Sequence, residues 1–412
     1  MKRDKKPELL IPAGNLDTLK TAVIYGADAV YIGGEAFGLR AKADNFSIPE
    51  MIEGIAFAHE HKAKVYVTAN ILAHNGDIRE AQAYFNELKD TGADAVIISD
   101  PGLFDLARRT MPDMDIHIST QANNTNYMTY LFWHRLGAKR VVSARELSLR
   151  EIADIREAIP DDMEIESFVH GAMCISYSGR CLLSSFMAGR DANRGACTHP
   201  CRWKYSLMEE TRPGEYFPVE ENERGTYIFN SKDLCMIEHI PELCDAGIDS
   251  FKIEGRMKTA LYVATVARTY RKAIDDYFTS PELYKSKIED YKSEIGKCTI
   301  RDFTTGFYFG KPGSESQIYD RSTYLKNYTY LGTVSAVLGG YADIEQKNKF
   351  SVGDRIEIMK PDFRNLETEV LEIRDGETLE SMESCPHPKQ KLKLRLSEMP
   401  EPYDIIRVKS EE

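Results

Sequence analysis

TGADAVIISD (91–100) is one copy of a pattern that recurs at YGADAVYIGG (25–34), LGAKRVVSAR (136–145) and AGIDSFKIEG (246–255). In each copy a glycine ends a helical stretch and a short apolar, mostly β-branched run follows. Glycine suits the left-handed position that closes a helix. A run of this kind suits a strand covered on both faces. Between the copies lie further strand candidates: ELLIP (8–12), KVYVTA (64–69), MDIHIS (114–119) and MEIESFV (163–169). Helical patterns separate them, among them NLDTLKTAVIY (15–25), SIPEMIEGIAFAHEH (47–61) and DIREAQAYFNELKD (77–90).

The strand count is eight, and each but the seventh runs fairly directly into a helix. Alternating β and α segments imply a parallel sheet, and eight units are what a (β/α)8 TIM-like barrel requires. An open doubly wound sheet is the alternative, but no G-x-G-x-x-G follows the first strand. In a barrel the residues after each strand gather at one mouth. Here they are Pro12, Ala13 and Gly14; Gly33, Gly34 and Glu35; Asn70; Asp100; Thr120 and Gln121; Arg145; His170 and Gly171; Glu254 and Arg256. Arg145, Lys252 and Arg256 place positive charge at or near that mouth, suited to a small carboxylate or to RNA phosphates. Asp100, Glu35 and Glu254 supply carboxylates. His170 reads equally as an acid–base group or ligand at the mouth and as a hydrogen-bonded structural histidine.

The seventh strand leads into ESFVHGAMCISYSGRCLLSSFMAGRDANRGACTHPCRW (166–203), and the eighth arrives only near Asp249. A long insertion after a barrel strand is where functional loops occur. It holds Cys174, Cys181, Cys197 and Cys201, four of the chain's eight cysteines, spaced C-x6-C-x15-C-x3-C. The start of the chain, MKRDKKPELL, has no secretory pattern, so the expected location is cytoplasmic. In a reducing compartment clustered cysteines bind metal or do redox chemistry more often than they form bridges. The alternative is packing, since unbridged cysteine is often buried. Zinc ribbons use C-x2-C knuckles, which this spacing lacks; long irregular spacing suits an iron–sulfur cluster. Cys235, in NSKDLC at the expected start of the helix before strand eight, is a further candidate, so the fourth ligand is Cys201 or Cys235. Cys244 reads as packed, and Cys298 and Cys385 as incidental. Arg180 and Arg202 each adjoin a cysteine, where a guanidinium offsets thiolate charge or anchors a phosphate. Solvated arginines are the alternative for both, and packing is the expected role of Trp203 and Tyr205.

From about Ser280 the pattern changes. The barrel with its cysteine insertion (about 170–235) is assigned to 1–279, a helical connection to 280–326 and a small all-β barrel to 327–412. Within the connection, 281–297 reads as one exposed helix. The terminal strands are YLGTVSAVLGGYADIE, SVGDRIEIMK, ETEVLEIRD, KLKLRL and DIIRVK, at the short spacing of a small barrel.

Composition bounds the function. The chain has 412 residues, 42% hydrophobic and 29% charged, with a net charge of −12. That balance argues against coating nucleic acid through a broad basic surface and leaves a local basic cleft as the way to hold a structured RNA. No run of about eighteen apolar residues is present, so no membrane span is expected. H-E-x-x-H, G-x-S-x-G and Walker loops are absent.

ESFVHGAMCISYSGRCLLS (166–184), NRGACTHPCRW (193–203), NSKDL (230–234), IDSFKIEGRMKT (248–259) and the opening ELLIPAGNLDTLKTAVIYGADAVYIGG (8–34) resemble the collagenase-like peptidase family U-32. The resemblance covers essentially the whole chain. It implies iron–sulfur proteins that support oxygen insertion into aromatic rings: prephenate-dependent formation of 5-hydroxyuridine at the tRNA wobble position, hydroxylation of a 23S rRNA cytidine, or ubiquinone hydroxylation. The two-domain length and the NRGACTHPCRW and IEGRMK segments are most similar to the tRNA group. The resemblance carries a 4Fe–4S ligand role onto Cys174, Cys181 and Cys197, with the fourth position open. It also implies prephenate as co-substrate; from their places at the mouth, Arg145 and Arg256 are its candidate carboxylate partners, and His170 and Glu254 complete the candidate catalytic set. A peptidase, as the family name suggests, and a non-catalytic cluster-bearing partner are the other readings. A protein partner or homo-oligomer is left open.

Overall fold

The computed structural model describes residues 5–38, 45–174, 181–202, 206–207, 217–218, 232–312, 316, 325–387 and 389–410. Two compact units divide the chain. Met1–Leu19, Asp28–Met257 and Arg301–Thr323 form the first, and Lys20–Ala27, Lys258–Ile300 and Tyr324–Glu412 the second.

The first unit is built on β1 (Glu8–Pro12), β2 (Ala29–Gly33), β3 (Lys64–Ala69), β4 (Ala95–Ile98), β5 (Asp115–Ile118), β6 (Arg140–Val142) and β7 (Glu164–Ala172). Each pairs in parallel with the next, as in Leu10↔Ala29, Val30↔Val65, Val67↔Val96 and Val141↔Ile165. The eighth strand, Ser250–Ile253, pairs in parallel with both β1 and β7 and closes the ring. This is a TIM-like barrel, as the alternation implied. Strand parity puts one residue in two inside, and Leu10, Ala29, Tyr31, Tyr66, Ala95 and Ile97 form an apolar cluster there.

Beside that cluster lies a buried ionic network, mostly at the strand starts. Arg140 bonds Glu8 (2.6 Å), Glu164 (2.6 Å) and Glu166 (3.1 Å), and Lys252 bonds Glu166 at 2.5 Å. A buried ionic network at the strand starts lies away from the catalytic mouth, at the end of a barrel that serves stability rather than chemistry. Lys252 was expected near the mouth. Its strand position turns it inward instead, onto Glu166 and over the Tyr31 ring at 4.4 Å.

β7 runs three residues beyond its expected end, because the strand Asp233–Cys235 pairs antiparallel with its tail (Asp233↔Ala172, Cys235↔His170). Cys235 therefore closes a strand rather than opening a helix; the helix begins only at Ile240.

The second unit includes the helix Ala260–Thr279 and a six-stranded antiparallel barrel. Its strands are Tyr328–Leu338, Tyr341–Glu345, Arg355–Met359, Asn365–Asp375, Lys391–Leu396 and Ile405–Lys409, closed where Arg355–Met359 meets Asn365–Asp375. Gly339 and Gly340, both at positive φ, split the first expected stretch into a hairpin. Leu331, Ile344, Ile358, Val370, Leu394 and Ile406 fill the core.

The expected single exposed helix over 281–297 is two: Pro281–Ser286 and Ile288–Ile295. The break at Lys287 lets Tyr284 and Tyr291 both turn inward, where they stack with centroids 6.0 Å apart. Tyr291 also donates to Asp276 on the long helix, at 2.6 Å.

Candidate functional site

The mouth is shaped by glycines that leave room for one arginine. A β-carbon on Gly14 would stand 2.4 Å from the Arg256 carbonyl oxygen, and one on Gly33 2.1 Å from Arg256 Nη2. The first would collide with backbone, so Gly14 accepts no side chain; the second would displace the guanidinium from its place. The guanidinium, buried there, donates to Thr68 Oγ1 (3.1 Å) and Asn45 Oδ1 (2.8 Å).

A second constellation joins the ends of β6, β7 and the eighth strand. Arg145 lies 3.8 Å from Glu254 and stacks over the Phe168 ring at 4.0 Å. The Glu254 N–H donates to the His170 carbonyl (2.8 Å), and Tyr31 Oη lies 3.5 Å from Glu254 Oε2. Gly171, at φ +107°, lets the two strands approach: a β-carbon would be 2.5 Å from the Glu254 carbonyl oxygen. The structure thus brings together Arg145, Glu254 and the His170 backbone. The His170 ring is buried against Phe303, centroids 5.6 Å apart, rather than open to the mouth. Asp100 caps the helix Pro101–Thr110 by accepting from Leu103 N–H, and Glu35 is exposed.

Between β3 and β7 the mouth floor carries neutral polar groups; sequence reading placed Asn70 at the mouth and passed over Ser119, Asn124, Ser143 and Ser167. Asn70 Nδ2 donates to Ser119 Oγ (3.1 Å), Asn124 Nδ2 to the carbonyls of Ser119 and Val142 (3.1 Å each), and Ser143 and Ser167 share a hydrogen bond of 2.5 Å. His117 lies deeper, edge-on to Tyr66. Burial, then the nearby Arg140 and Lys252 charges, hold its pKa well below the ordinary imidazole range, so it stays neutral. No motif marks these residues; they become a set only when the strands align.

The cysteines fall into two classes. Cys244, Cys298 and Cys385 are buried, and Cys174, Cys181, Cys197, Cys201 and Cys235 are exposed or half-buried; none is in a disulfide. Burial pushes the Cys244 thiol up to about 12, and Cys385 Sγ donates to the Phe350 carbonyl. These are packing roles.

Cys174 and Cys235 flank the β7 ladder. Cys181 precedes the short helix Leu183–Ala188, against which the turn Pro200–Arg202, containing Cys201, packs. Cys197 Sγ accepts from His199 N–H at 3.4 Å. Thiolate sulfurs are the soft donors that iron or zinc takes, so the donor chemistry fits. Among the described residues no three His, Cys, Asp or Glu converge as a metal-holding group, so no coordination geometry follows from this arrangement. Arg180, Trp203 and Tyr205 lie outside the described residues, and Arg202 is described only by its backbone in that turn. No helix among the described residues is long and apolar enough to cross a membrane.

Comparison with known proteins places this geometry in a family. The chain is 42% identical over 408 residues to tRNA hydroxylation protein P1 of Bacillus subtilis, covering 98% of this chain and 95% of that protein. An uncharacterized protease of Methanocaldococcus jannaschii is 46% identical, over 73% of each chain. A 23S rRNA 5-hydroxycytidine synthase of Escherichia coli is 38% identical over 65% of this chain and 39% of that one. The model of peptidase family U32 matches residues 14–318, and that of the family's C-terminal domain matches 326–407. With both models matched in order, the chain belongs to peptidase family U32.

Proposed function

We propose that this protein is an RNA-hydroxylating enzyme acting on tRNA. The observation that carries the reading is the 42% identity, spanning nearly the full length of both chains, to a relative named for tRNA hydroxylation. The finer reading is conversion of the wobble uridine to 5-hydroxyuridine with prephenate as co-substrate. Prephenate is a dicarboxylate, and the two mouth guanidiniums, Arg145 and Arg256, are the groups suited to bind it. Glu254, 3.8 Å from Arg145, helps orient that guanidinium. Asn70, half-buried just after β3, is a neutral amide of the kind that hydrogen-bonds a uracil edge, and Ser119 and Asn124 brace it from below.

Cys174, Cys181 and Cys197, with Cys201 or Cys235, are the proposed ligands of a 4Fe–4S centre. Such a centre supplies one-electron chemistry when bound. The test is anaerobic purification with iron, sulfide and zinc analysis and EPR, alongside nucleoside analysis of tRNA from a deletion strain. About four irons per chain, as four cysteine ligands to a 4Fe–4S centre imply, and loss of 5-hydroxyuridine support the reading. Unchanged 5-hydroxyuridine in a strain lacking any paralogue overturns the tRNA assignment, and a metal-free protein overturns the centre.

The name of the archaeal relative favours one other reading, a peptidase. Peptide cleavage by the metal-free wild type, lost in Cys174→Ser, would establish it.

A further inference from the structure

Asn193 stands where three separate stretches of the first unit cross. Its side-chain Nδ2 donates to the Cys181 carbonyl at 3.0 Å. Its own carbonyl accepts the Leu72 N–H at 3.3 Å, and Leu72 lies three residues beyond the end of β3, on the mouth rim. Its N–H donates to Asp191 Oδ1 at 2.8 Å, which starts the single 3-10 turn Ala192–Arg194, and the Asp191 carbonyl in turn accepts Ala196 N–H at 2.9 Å. One residue ahead of Leu72, Ile71 N–H donates to the Phe37 carbonyl at 3.2 Å, so the rim at this point is itself tied to the loop after β2.

A second fastening lies close by in sequence. Ser184, fully buried in the helix that follows Cys181, accepts Thr198 N–H at 3.1 Å and pairs with Thr198 Oγ1 at 3.2 Å. Thr198 adjoins Cys197 and precedes Cys201 by three residues. The stretches bearing Cys181, Cys197 and Cys201 are thus joined to one another through Ser184 and to the barrel rim through Asn193. Neither residue has sulfur or charge, and neither has chemistry of its own to offer a substrate.

We propose that Asn193 is the positioning residue that fixes the cysteine-bearing segment 181–202 to the barrel rim at Leu72, with Ser184 locking the Cys197–Cys201 turn onto it. The geometric claim stands on the hydrogen bonds alone; only its metal readout rests on the proposed thiolate centre. Residues that hold metal ligands in place typically alter metal affinity by about 10–100-fold when changed. Asn193→Asp is nearly isosteric but replaces the donating amide with a carboxylate facing the Cys181 carbonyl, so the bond becomes a repulsion.

The test uses the full chain, purified anaerobically, as wild type, Asn193→Asp, Ser184→Ala and Ser184→Thr, with Asn86→Asp as a control on an exposed helix face. Hydrogen–deuterium exchange is followed at Leu72 and across 181–198, and iron release to a chelator is timed. Asn193→Asp leaves the backbone bond to Leu72 and breaks the side-chain bond to Cys181, so it should speed exchange across 181–198 and raise the iron release rate about tenfold or more. Ser184→Ala should act on the Thr198 region, with Ser184→Thr restoring it through the retained hydroxyl, and the control should match wild type. Wild-type exchange across 181–198 in Asn193→Asp overturns the proposal. Absence of metal in the wild type overturns the thiolate centre instead, and exchange across 181–198 then still decides the role of Asn193.

Discussion

Gly33 and Arg256 approach so closely that a β-carbon on the glycine would stand 2.1 Å from the guanidinium Nη2. The guanidinium is the flexible end of its side chain, so relief comes from shifting it, at the expense of its bonds to Thr68 and Asn45. Gly33→Ala should therefore evict Arg256 while leaving the remaining strand pairings intact. Under the proposed use of prephenate as co-substrate, the expected result is a loss of affinity for it of about tenfold or more, matching the loss of a charge-assisted hydrogen bond. Calorimetric titration with a parallel thermal melt checks it, and unchanged affinity would remove Arg256 from the acid-binding role.

Arg140 is the hub of the buried network inside the barrel, facing Glu8, Glu164 and Glu166. Burial pushes the Glu8 carboxyl up, but the Arg140 guanidinium, with hydrogen bonds from Tyr66 and Ser250, more than offsets it and holds Glu8 below its usual range. Removing one partner of a buried ion pair typically costs about 3–5 kcal/mol. Arg140→Ala should fall in that range by urea denaturation, whereas a cost below about 1 kcal/mol would be that of a surface pair.

In the second unit Glu294 meets Arg268 at 2.5 Å and Arg407 at 2.7 Å. Burial raises its pKa, yet Arg268, Arg407 and Lys297 bring it down to about 2, from an ordinary 4.5. A depressed carboxyl contributes stability that is fully present above the unfolded value and is lost as pH falls through the folded one. The second unit should therefore weaken between about pH 4.5 and 2, and Glu294→Gln should flatten that limb while lowering stability at pH 7. Acid titration of the melting temperature in both proteins decides it; parallel limbs would assign the acid sensitivity elsewhere.

Thiol reactivity should sort the cysteines as burial does. Cys244, Cys298 and Cys385 should resist iodoacetamide at pH 8 until the protein unfolds, because the thiolate is the reactive form and burial holds the Cys244 thiol at about 12. In metal-stripped protein Cys174, Cys181, Cys197, Cys201 and Cys235 should alkylate, and in metal-loaded protein four of the five should be shielded. Mass-spectrometric mapping reads both states and names the fourth ligand as Cys201 or Cys235.

With a net charge of −12, the proposed activity on tRNA requires a local basic surface to hold it. Affinity should then fall steeply and linearly in log–log form as salt rises. A filter-binding series across ionic strength checks this, and a flat response would point to contacts other than phosphates.

The alternation of glycine-closed helices and β-branched runs determined the barrel by itself, because parallel-strand burial writes a local pattern into each segment. The glycines of IPAGN and YIGG and the cysteine spacing were legible for the same reason: each is a local demand on backbone or side-chain chemistry. What the tertiary structure decided is where long-range partners meet. Lys252 reads like a mouth residue, but strand parity and Glu166, 86 residues away, draw it inside the barrel. Cys235 reads like a helix start, but the tail of β7 offers open backbone groups, and pairing with them makes a strand. The tie from Asn193 to Cys181 and Leu72 spans three stretches with no shared motif. A hydrogen bond between distant residues leaves no periodic mark in the chain, so only the closed barrel reveals it.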